Sequence, residues 1–181
     1  DLFAKMTGIK EPLYTAVDVK DVGQNGVEVS RNGYGYYTYF PMSTAAEPYL
    51  KYNFMPEQDT LLYAYLSVAK VEEVDIDQNE RYTFSQKLAK QPYIFPLGSY
   101  KAGEKATLKW NVDRKSIQNG AITLFVYALN QDVLEQGYQQ LAAGGLQVTD
   151  WSDTRLTGVL NADHDGICYL SIPAEDGWHI T

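Results

Sequence analysis

The sequence is poor in cysteine and histidine, holding one Cys and two His in 181 residues, and it contains no Asn-x-Ser/Thr sequon. A lone Cys168 excludes an internal disulfide and any multi-cysteine metal site. His164 and His179 stand without a second histidine or a carboxylate at ligand spacing, so zinc has no support and both read as surface residues. Basic residues are outnumbered, 15 Lys+Arg against 23 Asp+Glu, for a net charge of −8. That balance excludes the basic footprint a nucleic-acid partner requires. No stretch nears the roughly 20 apolar residues of a membrane-spanning helix, and the N-terminus lacks the basic start and apolar middle of a signal peptide. Missing too are G-x-S-x-G, a phosphate-cradling glycine loop and a dinucleotide fingerprint. No cofactor, no metal and no catalytic residue are therefore expected.

What the chain has in quantity is alternation. In "YLKYNF", Leu50, Tyr52 and Phe54 share one face and Lys51 and Asn53 the other; in "TLKWNV", Leu108, Trp110 and Val112 alternate with Thr107, Lys109 and Asn111. The stretches 61–68, 81–86, 122–129, 155–160 and 167–172 repeat the pattern between turn residues. Period-2 alternation of this kind marks antiparallel strands with one buried face. The expectation is a mainly β protein, an antiparallel two-sheet sandwich of jelly-roll type, forming one domain over 1–181. One segment differs. Val133, Leu134, Tyr138 and Leu141 follow helical spacing, with Asn130 placed to cap the start and Gly144-Gly145 to end it in the left-handed conformation. An amphipathic helix is expected at about 131–143.

Two acidic stretches imitate calcium loops and fail. "NADHDG" (161–166) has oxygen ligands at alternate positions, but Ile172 stands where the closing glutamate belongs; in "DIDQNE" (75–80), Glu80 occupies the place of the tight-turn glycine. Cys168, within "GICYLSI", reads as a small buried hydrophobe.

The aromatics carry the functional signal. The chain has 15 Tyr, 6 Phe and 3 Trp, and aromatic faces with a polar rim suit sugar rings. Trp110 and Trp178 read as core, whereas Trp151, in the loop-like "TDWSDT", reads as exposed. In "YGYYTYF", Tyr34, Tyr36, Thr38 and Phe40 lie on one side and Gly35, Tyr37 and Tyr39 on the other. Either another segment covers Tyr37 and Tyr39 or they form an exposed patch. Candidate ligand-binding residues are accordingly Tyr37, Tyr39 and Trp151.

The C-terminal stretch "DTRLTGVLNADHDGICYLSIPAEDGWHIT" (153–181) resembles the corresponding region of the bacterial YfhO-like membrane proteins. It has their Gly-containing strand, acidic turn ending in Asp-Gly, strand ending Ser-Ile-Pro and Gly-Trp step, in that order. "FVYALNQDVLEQGYQQLAAGGLQVTDWSDT", "YLKYNFMPEQDTLLYAYL", "LGSYKAGEKATLKW" and "LFAKMTG" are similar to earlier segments of the family. The resemblance implies an extracytoplasmic domain of a polytopic bacterial membrane protein, part of a lipid-linked-sugar glycosyltransferase that decorates cell-surface polymers such as lipoteichoic acid. It implies as partners a cell-surface glycan or lipid-linked sugar acceptor, and the membrane through flanking helices absent from this sequence. Family members continue past Gly-Trp to a further strand and a final membrane helix, which implies a domain excised from a larger protein. The catalytic acids of such proteins lie between membrane helices, so none is carried over. The alternative is a carbohydrate-binding sandwich of a secreted multidomain protein, and a free-standing glycosidase ranks third.

Overall fold

The computed structural model describes residues 2–42, 48–69, 71, 73–79, 82–88, 94–111, 119–162, 165, 166, 168–170, 172, 177 and 179. After a short helix α1 (Leu2–Thr7), eleven strands follow: β1 (Tyr14–Ala16), β2 (Val19–Asn25), β3 (Val27–Gly33), β4 (Tyr36–Pro41), β5 (Tyr49–Phe54), β6 (Thr60–Val68), β7 (Glu73–Gln78), β8 (Tyr82–Lys87), β9 (Ile94–Tyr100), β10 (Ala106–Asn111) and β11 (Gly120–Leu129). Helix α2 (Gln131–Ala143) and a ribbon of β12 (Gln147–Ser152) and β13 (Arg155–Val159) come last. Sheet A runs β3-β4-β11-β6-β9, with β1 on the far end of β11; sheet B runs β2-β5-β10-β7-β8. All pairings are antiparallel. Strands β4 to β11 form a jelly roll, in which β4-β11-β6-β9 faces β5-β10-β7-β8 and the chain changes sheet at every step except the β7–β8 hairpin. Strands β2 and β3 extend one edge of each sheet.

The core follows the alternation. Leu50, Tyr52 and Phe54 of β5, Leu108 and Trp110 of β10 and Ile76 of β7 meet Leu62, Ala64 and Leu66 of β6 and Ile122, Leu124 and Val126 of β11. An aromatic stack crosses between the sheets. Tyr52 lies parallel to Trp110 at 5.1 Å and 5°, and Tyr37 of sheet A meets Tyr52 edge-on at 5.0 Å.

Tyr37 and Tyr39 are thus inside, at 2% and 3% exposure, so of the two alternatives it is the covered one that holds and the exposed patch that falls. Sheet B covers them. They pair with Ile122 and Gly120 of β11, and Gly120 makes room for the Tyr39 ring, since a Cβ there would lie 2.4 Å from Tyr39 Cε1. Burial raises the phenol pKa of Tyr37, Tyr39 and Tyr52.

Helix α2 forms where expected. Asn130 Oδ1 accepts from the Val133 N–H at 3.2 Å, and Asn130 Nδ2 donates to Glu11 Oε1. Its closing Gly144 has φ −103°, outside the left-handed region expected for it. Gly137 has a packing reason to be glycine: the ring of Phe3 in α1 sits against it, and a Cβ would come 2.2 Å from Phe3 Cζ. The buried side of the helix is Val133 and Gly137, while Leu134, Tyr138 and Leu141 are exposed.

Other expectations need correcting. "TDWSDT" is not a loop, because its first residues belong to β12. Residues 168–170 form no strand, and Cys168 is exposed rather than buried. His179 is exposed as expected. His164 and Trp178 lie outside the described residues, as do Val112 and Glu80.

Candidate functional site

The two sheets differ in what they turn outward. Sheet B presents Lys51, Glu73, Asp75, Lys87 and Lys109, an ordinary charged face, where Lys109 Nζ sits 4.7 Å from the Tyr49 ring centre and Ser85 hydrogen-bonds Asp75. Sheet A turns out rings. Register places Tyr36 and Phe40 of β4, Phe125 and Tyr127 of β11 and Tyr63 and Tyr65 of β6 on its outer surface, with Ile94 and Pro96 beyond them on β9. Tyr34, from the β3–β4 turn, and Tyr14, from β1, complete the surface.

Phe125 is the hub. Its ring centre lies 5.6 Å from Tyr34, 5.4 Å from Tyr36, 6.2 Å from Tyr65 and 6.5 Å from Tyr127. Tyr34, Tyr65 and Tyr127 are inclined 33°, 34° and 39° to it, whereas Tyr36 stands at 89°. Tyr14 meets Tyr63 edge-on at 5.9 Å, continuing the cluster toward β1. Such offset and edge contacts are the favoured aromatic geometries and fix the rings against one another. The surface stays accessible, with Tyr36 at 53% and Ile94 at 72% exposure. An apolar expanse of this size on a sheet's outer face is the kind of patch that marks a contact surface.

Local backbone chemistry builds the hub. The turn residue Gly35 has φ +73°, which glycine adopts without penalty, and its carbonyl accepts from the Leu124 N–H at 2.8 Å. The Phe125 ring lies on the bare Cα: a Cβ on Gly35 would be 2.3 Å from Phe125 Cε1. Tyr34 Oη donates to the Val126 carbonyl at 3.2 Å, pinning the turn's ring beside the hub. Burial, reinforced by Tyr127, pushes the Tyr34 phenol up to about 12. On the β3 side, Asn32 Nδ2 donates to Thr38 Oγ1 at 2.6 Å, and Glu28 pairs with Phe40.

Of the three residues nominated from sequence, the structure brings none into this cluster. Tyr37 and Tyr39 belong to β4 but face the core, one residue out of phase with Tyr36. Trp151 is exposed at 74%, opposite Leu156 on the β12–β13 ribbon, which among the described residues pairs with neither sheet. The residues missed, Tyr65, Phe125 and Tyr127, sit in "LLYAYLSV" and "ITLFVYAL", where aromatics alternate with the buried Ala64, Leu66, Leu124 and Val126. That phase was a readable signal. Among the described residues no group of three or more His, Cys, Asp or Glu could hold a metal ion, and no helix is long and apolar enough to cross a membrane.

The family model for the bacterial membrane protein YfhO matches residues 1–181. The chain belongs to the YfhO family. No curated protein sequence matches this chain. Among solved structures it is similar to a Podospora anserina GH26-CBM35 β-(1,4)-mannanase, with a TM-score of 0.42 and 10% identity over 65% of this chain and 28% of that one. It is similar also to a family 35 carbohydrate-binding module from Clostridium thermocellum, with a TM-score of 0.40 and 6% identity over 63% of this chain and 96% of that one. A mutant family 29 carbohydrate-binding module gives 0.39 and 11% over 64% of this chain and 90% of that one. The YfhO domain spans just over a quarter of the mannanase's length.

Proposed function

We propose that this YfhO domain is a non-catalytic glycan-recognition module, displayed on the extracytoplasmic face of the bacterial cell membrane by the rest of its protein. In this reading 1–181 is one domain, and it holds a cell-surface glycan or lipid-linked sugar acceptor while the parent protein glycosylates a surface polymer such as lipoteichoic acid. The observation that carries the reading is the Phe125-centred cluster on the outside of sheet A, where rings already fixed by one another lose little entropy on binding. Pyranose rings stack on the exposed aromatic faces. Tyr hydroxyls and Thr38 and Thr123 supply hydrogen-bonding groups at the margins. Tyr37 and Tyr39 serve the site from behind, since their anchorage in the core turns Tyr36 outward. Trp151 is a second, separate stacking position.

The reading is tested by titrating the chain with saccharides released from a bacterial cell envelope and following tyrosine fluorescence. Binding that falls in Tyr36→Ala but persists in Tyr49→Ala, on sheet B, supports it. Equal binding by both variants, or none by the unaltered chain, overturns it.

A further inference from the structure

Resting on that reading, we infer that the ligand of the sheet A face is an uncharged pyranose chain, and that the phosphate-bearing backbone of an anionic polymer is kept off this face. The charge pattern is the reason. Phosphate recognition requires cationic forks, ammonium groups or converging backbone N–H donors. Among the described residues, the strand positions facing outward on sheet A hold no lysine and no arginine, and Arg31 of β3, opposite the inward Tyr37 and near Tyr34, is neutralised by Asp18 at 2.6 Å. The one carboxylate among those positions, Glu28 opposite Phe40, repels an anion and accepts hydrogen bonds from sugar hydroxyls. The lysines cluster elsewhere, with Lys51, Lys87 and Lys109 all on the outside of sheet B. The chain's net charge of −8 adds long-range repulsion of polyanions.

Geometry suits a chain of rings lying across the strands. Tyr36, Phe125 and Tyr65 come from three adjacent strands, and register pairs Tyr36 with Thr123 and Phe125 with Tyr65. The 6.2 Å spacing of Phe125 and Tyr65 therefore runs straight across the strands, while Tyr36 reaches Phe125 diagonally, at 5.4 Å, from its place opposite Thr123. Successive sugar units of one chain can each meet a ring along this row. Its β3 margin, where Asn32 holds Thr38, offers amide and hydroxyl partners.

The test is an NMR titration of the aromatic resonances with two kinds of probe: neutral gluco-, galacto- and manno-configured hexasaccharides, and a short poly(glycerol phosphate). The expected result is that a neutral hexasaccharide shifts the Tyr36, Tyr65 and Phe125 signals with an affinity unchanged between low and physiological salt. Tyr36→Ala and, independently, Tyr65→Ala should each weaken it by up to about tenfold, with urea midpoints confirming that both variants fold. If poly(glycerol phosphate) shifts these signals, with an affinity that falls as salt rises, the inference is overturned while glycan recognition by this face stands. Failure of both probes to move any sheet A ring overturns both.

Discussion

Replacing Gly35 with alanine should cost far more than the same change at Gly103, although both residues have nearly the same backbone conformation, φ +73° and +74°. The left-handed region costs an L-residue about 1–2 kcal/mol, and both variants bear that cost. Only Gly35 adds a collision. Its new Cβ would stand 2.3 and 2.4 Å from two carbons of the Phe125 ring and 2.9 Å from the Leu124 carbonyl oxygen, whereas nothing lies within 4 Å of a Cβ on Gly103. Forcing an extra methyl into a packed site costs a further 1–3 kcal/mol, roughly. The neighbouring Leu124 N–H is bonded to the Gly35 carbonyl, so the turn cannot retreat without losing that bond. The total for Gly35→Ala is thus about 2–5 kcal/mol. For a domain of this length that lowers the melting temperature by roughly 5–15 °C, against roughly 2–6 °C for Gly103→Ala. Paired calorimetric scans read the difference directly. Equal losses in the two variants would refute the claim that the Phe125 ring lies on Gly35, and with it the hub of the aromatic face.

Two further outcomes follow from buried tyrosines. The hydroxyls of Tyr37 and Tyr52 have no hydrogen-bond partner among the described residues, so Tyr52→Phe should stabilise the fold by about 1 kcal/mol. A higher urea midpoint checks this, and a loss of similar size would show that the hydroxyl has a partner. Tyr34, Tyr37, Tyr39 and Tyr52 all have pKa values raised above the ordinary 10.0, that of Tyr34 to about 12, chiefly through burial. Above pH 10 the unfolded chain releases these protons before the folded one does, so stability is fully present below pH 10 and falls as pH rises from there toward 12. Urea midpoints measured across that range should decline, and a flat profile would contradict the burial.

The sandwich was legible because a buried face imposes its period on the sequence. Leu50-Tyr52-Phe54 and Leu108-Trp110 read directly as inward stripes, and Asn130 reads as a helix start. Strand β7 was less legible: Val74 and Ile76 do alternate with Asp75 and Asp77, but those carboxylates imitate a cation loop. The strand expected at 167–172 has the right residues and yet is unpaired at 168–170, because alternation identifies a face and not a neighbour.

At the site, the sequence told which residues share a side of β4 but not which side is covered. With aromatics on both faces, Tyr37 and Tyr39 were as good candidates as Tyr36 and Phe40. Tertiary packing decides between them, through Tyr52 of sheet B meeting Tyr37. The convergence of β4, β6 and β11 on Phe125 depends on strand order, which no local pattern encodes. Yet the outward phase of Tyr63, Tyr65, Phe125 and Tyr127 was fixed by their buried neighbours. Reading the aromatic phase of every strand, instead of the densest stretch alone, would have pointed to sheet A.

The measurement that tests the proposed sheet A site most directly is a crystal structure of the chain grown with a neutral hexasaccharide. Sugar rings should lie on the outer face of sheet A, against Tyr36, Phe125 and Tyr65 and across the strands. Saccharide seated on the charged face of sheet B, or on the β12–β13 ribbon with sheet A bare, would contradict the assignment.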